Sequence, residues 1–120
     1  MLRLAIFDFP PGLLPLPMAS SDATAARLLK DGPFGADLIR FPAGGQVQPH
    51  THPGSHMLFV LSGSGWVDCE SVPHRLVPGV CYLVPGGIRH GIRADSEMTL
   101  LAIANNHRDA SSQERLDLCT

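Results

Sequence analysis

The residues most able to do chemistry in this chain are four of its six histidines: His50, His52, His56 and His90. His50 and His52 are two apart, so on a strand both rings point to one face. His56 follows within a few residues, and His90 stands just after Pro85-Gly86-Gly87. A lone histidine is more often a satisfied core or turn residue. Four in two short segments point to convergent imidazoles, the donor set of a borderline divalent metal. All four rings would be neutral, so the metal would keep its full charge. An octahedral ion held this way keeps open positions, an arrangement suited to catalysis rather than to structural closure. The expected cofactor is one divalent transition metal, with Mn or Fe preferred to Zn, Ni or Cu, and the expected partner is a small molecule. His74 and His107 lie outside these segments and read as surface or loop residues.

The elements that must hold these rings read as short strands. The spacing predicts strands over residues 2–9, 34–41, 47–52, 56–61, 66–70, 74–77, 80–84, 88–94 and 98–104, punctuated by Gly and Pro turns. Twelve Gly and eleven Pro are spread through the chain as that punctuation. Residues 10–17 read as a proline-stiffened connection. Residues 21–30 read as the one helix before the tail, capped by Ser20, Ser21 or Asp22 and stopped at Gly32-Pro33. The tail after residue 104 is polar, either loose or a short helix over 112–118. The whole reads as one all-β domain, a closed barrel or double-sheet jelly roll.

Composition excludes several classes. The formal net charge is −2 and Lys30 is the only lysine, so no basic patch is available for nucleic acid. No apolar stretch is long enough to span a membrane. Asp8 and the prolines from Pro10 onward interrupt the apolar start that a signal peptide would need, so a cytoplasmic location is expected. Cys69, Cys81 and Cys119 form no Cys-x-x-Cys pair and read as incidental thiols of a reducing compartment.

The motifs carry a resemblance. Gly44, five residues, His50-x-His52, three residues, His56, six residues and Gly63 have the spacing of the first cupin motif. Gly79, five residues and Pro85-x-Gly87-x-x-His90 have the spacing of the second. The stretch 34–106 therefore resembles the cupin superfamily. Residues 1–33 read as an N-terminal extension and 107–120 as a C-terminal tail. The resemblance implies a double-stranded β-helix or jelly-roll barrel with a metal in its mouth, commonly as a homodimer in which residues 2–9 pair with the neighbouring subunit. The family usually carries Glu where this chain has His56, and often Asn where it has Ala94. The His-x-His-x-x-x-His version resembles a subgroup of small cupins with a four-histidine site, one of which binds manganese.

Strand alternation then proposes a lining. If the histidines face inward, so do Gln48, Leu58, Val60 and Ile92, and Tyr82 joins them. That cavity is apolar, with no evident carboxylate beside the metal. No catalytic side chain can be named from the sequence. The reading it supports is a small metal-dependent dioxygenase. The alternatives are a non-catalytic ligand or metal sensor and a metal-dependent sugar or uronate isomerase, the latter disfavoured because it needs a positioned proton carrier.

Overall fold

In a computed structural model, which describes residues 16–106 and 117–118, the chain forms eleven strands and no helix among those residues. They are β1 (Leu16–Pro17), β2 (Thr24–Asp31), β3 (Phe34–Phe41), β4 (Gln46–Thr51), β5 (His56–Ser62), β6 (Gly65–Cys69), β7 (Val72–Leu76), β8 (Cys81–Val84), β9 (His90–Ala94), β10 (Met98–Ala104) and β11 (Asp117–Leu118). One sheet runs β1-β2-β3-β10-β5-β8 and the other β11-β4-β9-β6-β7, with every pairing antiparallel. The two inner faces enclose one core that includes Phe41, Leu58, Val67, Leu76, Met98 and Leu100. This is the expected all-β jelly-roll barrel. The expected strand over residues 2–9 lies outside the described residues.

Alternation explains why the central strands form where they do. In β10, Met98, Leu100 and Ala102 are buried in the core while Thr99, Leu101 and Ile103 alternate to the other face. β3 does the same with Ile39 and Phe41, which pair across to Leu100 and Met98. Gly63 turns the corner between β5 and β6 at φ 78°. A Cβ there would overlap the carbonyl oxygen of Glu97, so both the backbone angle and the close approach require glycine.

The helix expected over residues 21–30 is absent. Residues 24–31 form β2, paired with β3 along its length with one register shift between Arg27 and Leu29. Ala25 enters the core on the face that a strand presents. The sequence there is rich in good helix formers, but local propensity is weak beside a seven-residue ladder and a buried face. Ser21 caps a turn instead. Its hydroxyl accepts from the Ala23 amide at 3.1 Å and donates to the Met18 carbonyl at 3.0 Å. Gly32, at φ 58°, turns the β2–β3 hairpin rather than stopping a helix. β1 and β2 thus extend the first sheet into the segment expected to be an extension. The helical reading of 112–118 also fails at its end, because Asp117 and Leu118 pair as a strand with Thr51 and His50. The remainder of that tail, with His107 and Cys119, lies outside the described residues.

The outer faces of the two sheets differ. On the second, Trp66 lies beneath the guanidinium groups of Arg75 and Arg93, 4.9 and 5.2 Å from the ring centre, and donates to Asp95 at 3.0 Å. Arg93 is paired with Asp68 and Arg75 with Asp95. On the first, Met57, Leu61 and Leu83 are exposed.

Candidate metal centre

β4, β5 and β9 bring the four histidines together at one end of the barrel. His50 and His90 are register partners across β4 and β9. The ring centres of His50 and His90 lie 4.2 Å apart, and those of His52 and His90 5.0 Å apart. One donor atom from each of His50, His52 and His90 falls within 4.8 Å of the others. His56 is adjacent, its ring centre 4.6 Å from His52 and 4.9 Å from His90, but its donor atom is not in that set.

Three rings are oriented by one device. Nδ1 of His50 donates to the Gln48 carbonyl at 2.7 Å, that of His52 to the Gly54 carbonyl at 2.8 Å, and that of His90 to the Ile88 carbonyl at 2.8 Å. A carbonyl only accepts, so each ring must carry its proton on Nδ1. That leaves each Nε2 as a lone-pair donor, the tautomer a metal ligand needs. Nε2 of His90 is buried and has no hydrogen-bond partner. Leaving such an atom unmatched is costly, and a divalent metal would satisfy it. The donor chemistry therefore fits a metal.

Burial shapes the electrostatics. It pushes the His90 imidazole down to about 4, opposed by the Ile88 carbonyl and assisted by the neighbouring His52. The unfolded chain would take up this proton near the ordinary value of 6.5. Between those values the unfolded state binds the proton and the folded state does not, so acidification favours unfolding. The metal-free protein should lose on the order of 3 kcal/mol of stability from this group between about pH 6.5 and 4. Urea unfolding across that range checks this, and a flat profile would contradict the burial of a neutral His90.

A cavity of about 40 Å³ adjoins the rings, lined by Met18, Ile39, Val47, Leu58, Ile92 and Ala102 together with His50, His52 and His56. No carboxylate lines it among the described residues. Asp37 is buried and faces the barrel interior, paired across the strands with Ala102 and Arg27, but it does not line the cavity. Of the residues expected to line a pocket, Leu58 and Ile92 do so. Val60 lies in the core away from it. Tyr82 packs against the core and donates its hydroxyl to the Arg75 carbonyl at 2.9 Å.

Gln48 is exposed, contrary to simple alternation. The β4–β9 register shifts between Val47 and His50, so these two residues, three apart, both face inward. Pro49 has no N–H for the ladder, which suits it to such a bulge. The bulge turns Gln48 outward.

Two loops are laced together beneath the rings. The Gly87 amide donates to the His52 carbonyl at 2.8 Å, and the Gly86 amide to the Ser55 hydroxyl at 2.9 Å. The Ser55 amide donates to the Asn105 side chain at 2.7 Å. Motif spacing singled out none of Gly54, Ser55, Gly86 or Asn105, because the motif leaves these positions open. The doubled glycine at 86–87 is the one signal that could have drawn attention to them.

The protein-family profile described as Cupin domain matches residues 37–104. The chain belongs to the cupin family. Among curated proteins it is similar to dimethylsulfoniopropionate lyase DddW of Ruegeria pomeroyi, 37% identical over 60 residues. That match spans half of this chain and 40% of the relative. Among solved structures, an RmlC-like cupin from Shewanella frigidimarina superposes with a TM-score of 0.78 at 21% identity, over 91% of this chain and 97% of that one. A cupin-2 domain from Rhodospirillum rubrum gives 0.77 at 20% identity, over 100% and 84%. The polyketide cyclase RemF from Streptomyces resistomycificus gives 0.72 at 20% identity, over 90% and 82%. At these identities the structures establish the fold.

Proposed function

We propose that this cupin is a small metal-dependent oxygenase acting on a small organic molecule. His50, His52 and His90 would hold one divalent metal, Mn or Fe, with His56 as the fourth ligand. When bound, the metal would supply Lewis acidity and one-electron redox chemistry. The side chains would do the rest. The three carbonyl-anchored rings hold their Nε2 atoms aimed and deprotonated, and the apolar wall excludes water from the reacting centre.

The observation that carries this reading is the lining. Apart from imidazoles, every described side chain on the cavity is aliphatic or a thioether. Proton-transfer chemistry needs a positioned carrier, whereas oxygen chemistry at a metal suits a dry apolar wall. The 37% identity to a dimethylsulfoniopropionate lyase favours a second reading, an elimination on a related small zwitterion. That reaction would have to recruit a base from beyond the lining, and among the described residues Asp37 is a buried carboxylate that pairs by strand register with the lining residue Ala102.

The protein as isolated should contain close to one equivalent of Mn or Fe by plasma mass spectrometry. Oxygen uptake should follow when diketones or phenolics are screened. Cleavage of dimethylsulfoniopropionate without oxygen uptake would overturn the oxygenase reading in favour of the lyase. We further propose a cytoplasmic location and a homodimer, the dimer alone being supported by the exposed Met57, Leu61 and Leu83 on the first sheet. No helix among the described residues is long and apolar enough to cross a membrane.

A further inference from the structure

The cavity at the histidines is closed on one side by a residue from outside the family match. Met18 precedes the matched stretch 37–104, yet it is only 5% exposed and lines the same cavity as His50, His52 and His56. A built turn holds it there. The Met18 amide donates to the Ala23 carbonyl at 2.9 Å, and Ser20 between them adopts a left-handed φ of 58°. The turn is stitched to β4 by two reciprocal bonds. The Asp22 amide donates to the Gln46 carbonyl at 3.1 Å, and the Gln46 amide to the Asp22 carboxylate at 3.0 Å. Ser21 also bridges Val47, itself a lining residue. The backbone of this segment is fixed to the ligand strand, while the methionine side chain remains unbranched and able to change rotamer.

Size gives this wall its consequence. One water needs roughly 10–15 Å³ of cavity, so the cavity of about 40 Å³ holds about three water-sized bodies. A metal ion and two small ligands would fill it. A substrate ring could not lie inside while Met18 keeps its place.

We propose that Met18 is the size-determining residue of this cavity. With Met18 in place, the inner space beside the metal admits ligands of two or three heavy atoms. Dioxygen is the ligand that the oxygenase reading requires, and the organic substrate is confined to the open mouth. The inference rests on that reading for the metal. The rest of the lining is apolar, through Ile39, Val47, Leu58, Ile92 and Ala102, which suits a small uncharged diatomic. Met18 is the one side chain among them with the flexibility to reshape the space.

The test uses the full chain loaded with Co(II), which reports ligands by its visible spectrum and nearby methyl groups by paramagnetic shifts. Among ¹³C-methyl-labelled methionines, Met18 should show the largest shift. Azide should perturb the wild-type spectrum at concentrations at which 4-nitrocatechol does not. Met18→Ala should gain catechol binding by at least tenfold. Met18→Leu, which keeps the volume, should behave as wild type and guards against a folding defect in the alanine variant. If cobalt fails to bind at all, the metal reading itself falls. If cobalt binds but the Met18 methyl is unshifted, or wild type and Met18→Ala take the catechol equally well, the metal reading stands and the role of Met18 is overturned.

Discussion

His52→Ala should purify as a folded barrel that has lost stoichiometric metal. Altering groups that merely orient a ligand costs about 10–100-fold in metal affinity, so removing a ligand itself should cost more than about 100-fold. The fold should survive because His52 lies past the end of β4, is only partly buried, and contributes nothing to the core. His90 would make a poorer test, since its ring is fully buried and its loss would mix a cavity with the missing ligand. Metal content by plasma mass spectrometry and far-ultraviolet circular dichroism, measured on the same sample, separate the two effects. A folded His52→Ala that keeps a full equivalent of metal would remove His52 from the site, and with it the anchored-imidazole argument for His50 and His90.

The parts of the molecule that the sequence made legible are those governed by period. β10 begins and ends where alternation places it, since one face lies against the core and the other is turned away, and β3 keeps its expected bounds although residues 35–39 are buried on both faces. The histidines were legible for a different reason. Imidazoles are few in this chain, and their spacing matches a motif whose turns are set by glycine and proline. Where the reading failed, a tertiary effect overrode a local one. Residues 24–31 have helix-forming composition, but β3 offers them a ladder and the core takes Ala25. Gln48 was assigned inward because alternation was carried through Pro49, and the bulge at that point reverses the face. Met18 was invisible because nothing local just past the proline-rich connection of residues 10–17 tells which cavity its side chain will reach.

The same distinction applies to the glycines. Gly44, Gly79 and Gly87 take positive φ in open space, so their role is conformational. Gly86 has no such φ, and its requirement is one of proximity. A Cβ at Gly86 would overlap the carbonyl oxygen of Pro53 and press on Gly54. No flexible side chain is there to yield, so the two loops must separate.

Gly86→Ala should therefore be, with Gly54→Ala, among the most damaging single methyl groups that can be added near the site. Overpacking typically costs about 1–3 kcal/mol, and backbone against backbone belongs at the upper end. The separation would also stretch the bond from the Gly86 amide to Ser55 and the neighbouring one from the Gly87 amide to the His52 carbonyl. His52 lies on one of the two loops that these bonds tie together and His90 opens β9 directly after the other, so metal affinity should fall along with stability. Gly87→Ala, one residue on, meets no atom within 4 Å and carries only the strain of its φ of 78°. Urea unfolding and metal titration of the two variants side by side should show the larger loss in both at position 86. Equal losses, or a Gly86→Ala protein that binds metal as wild type, would mean that loop contact does not set the distance between these two ligands.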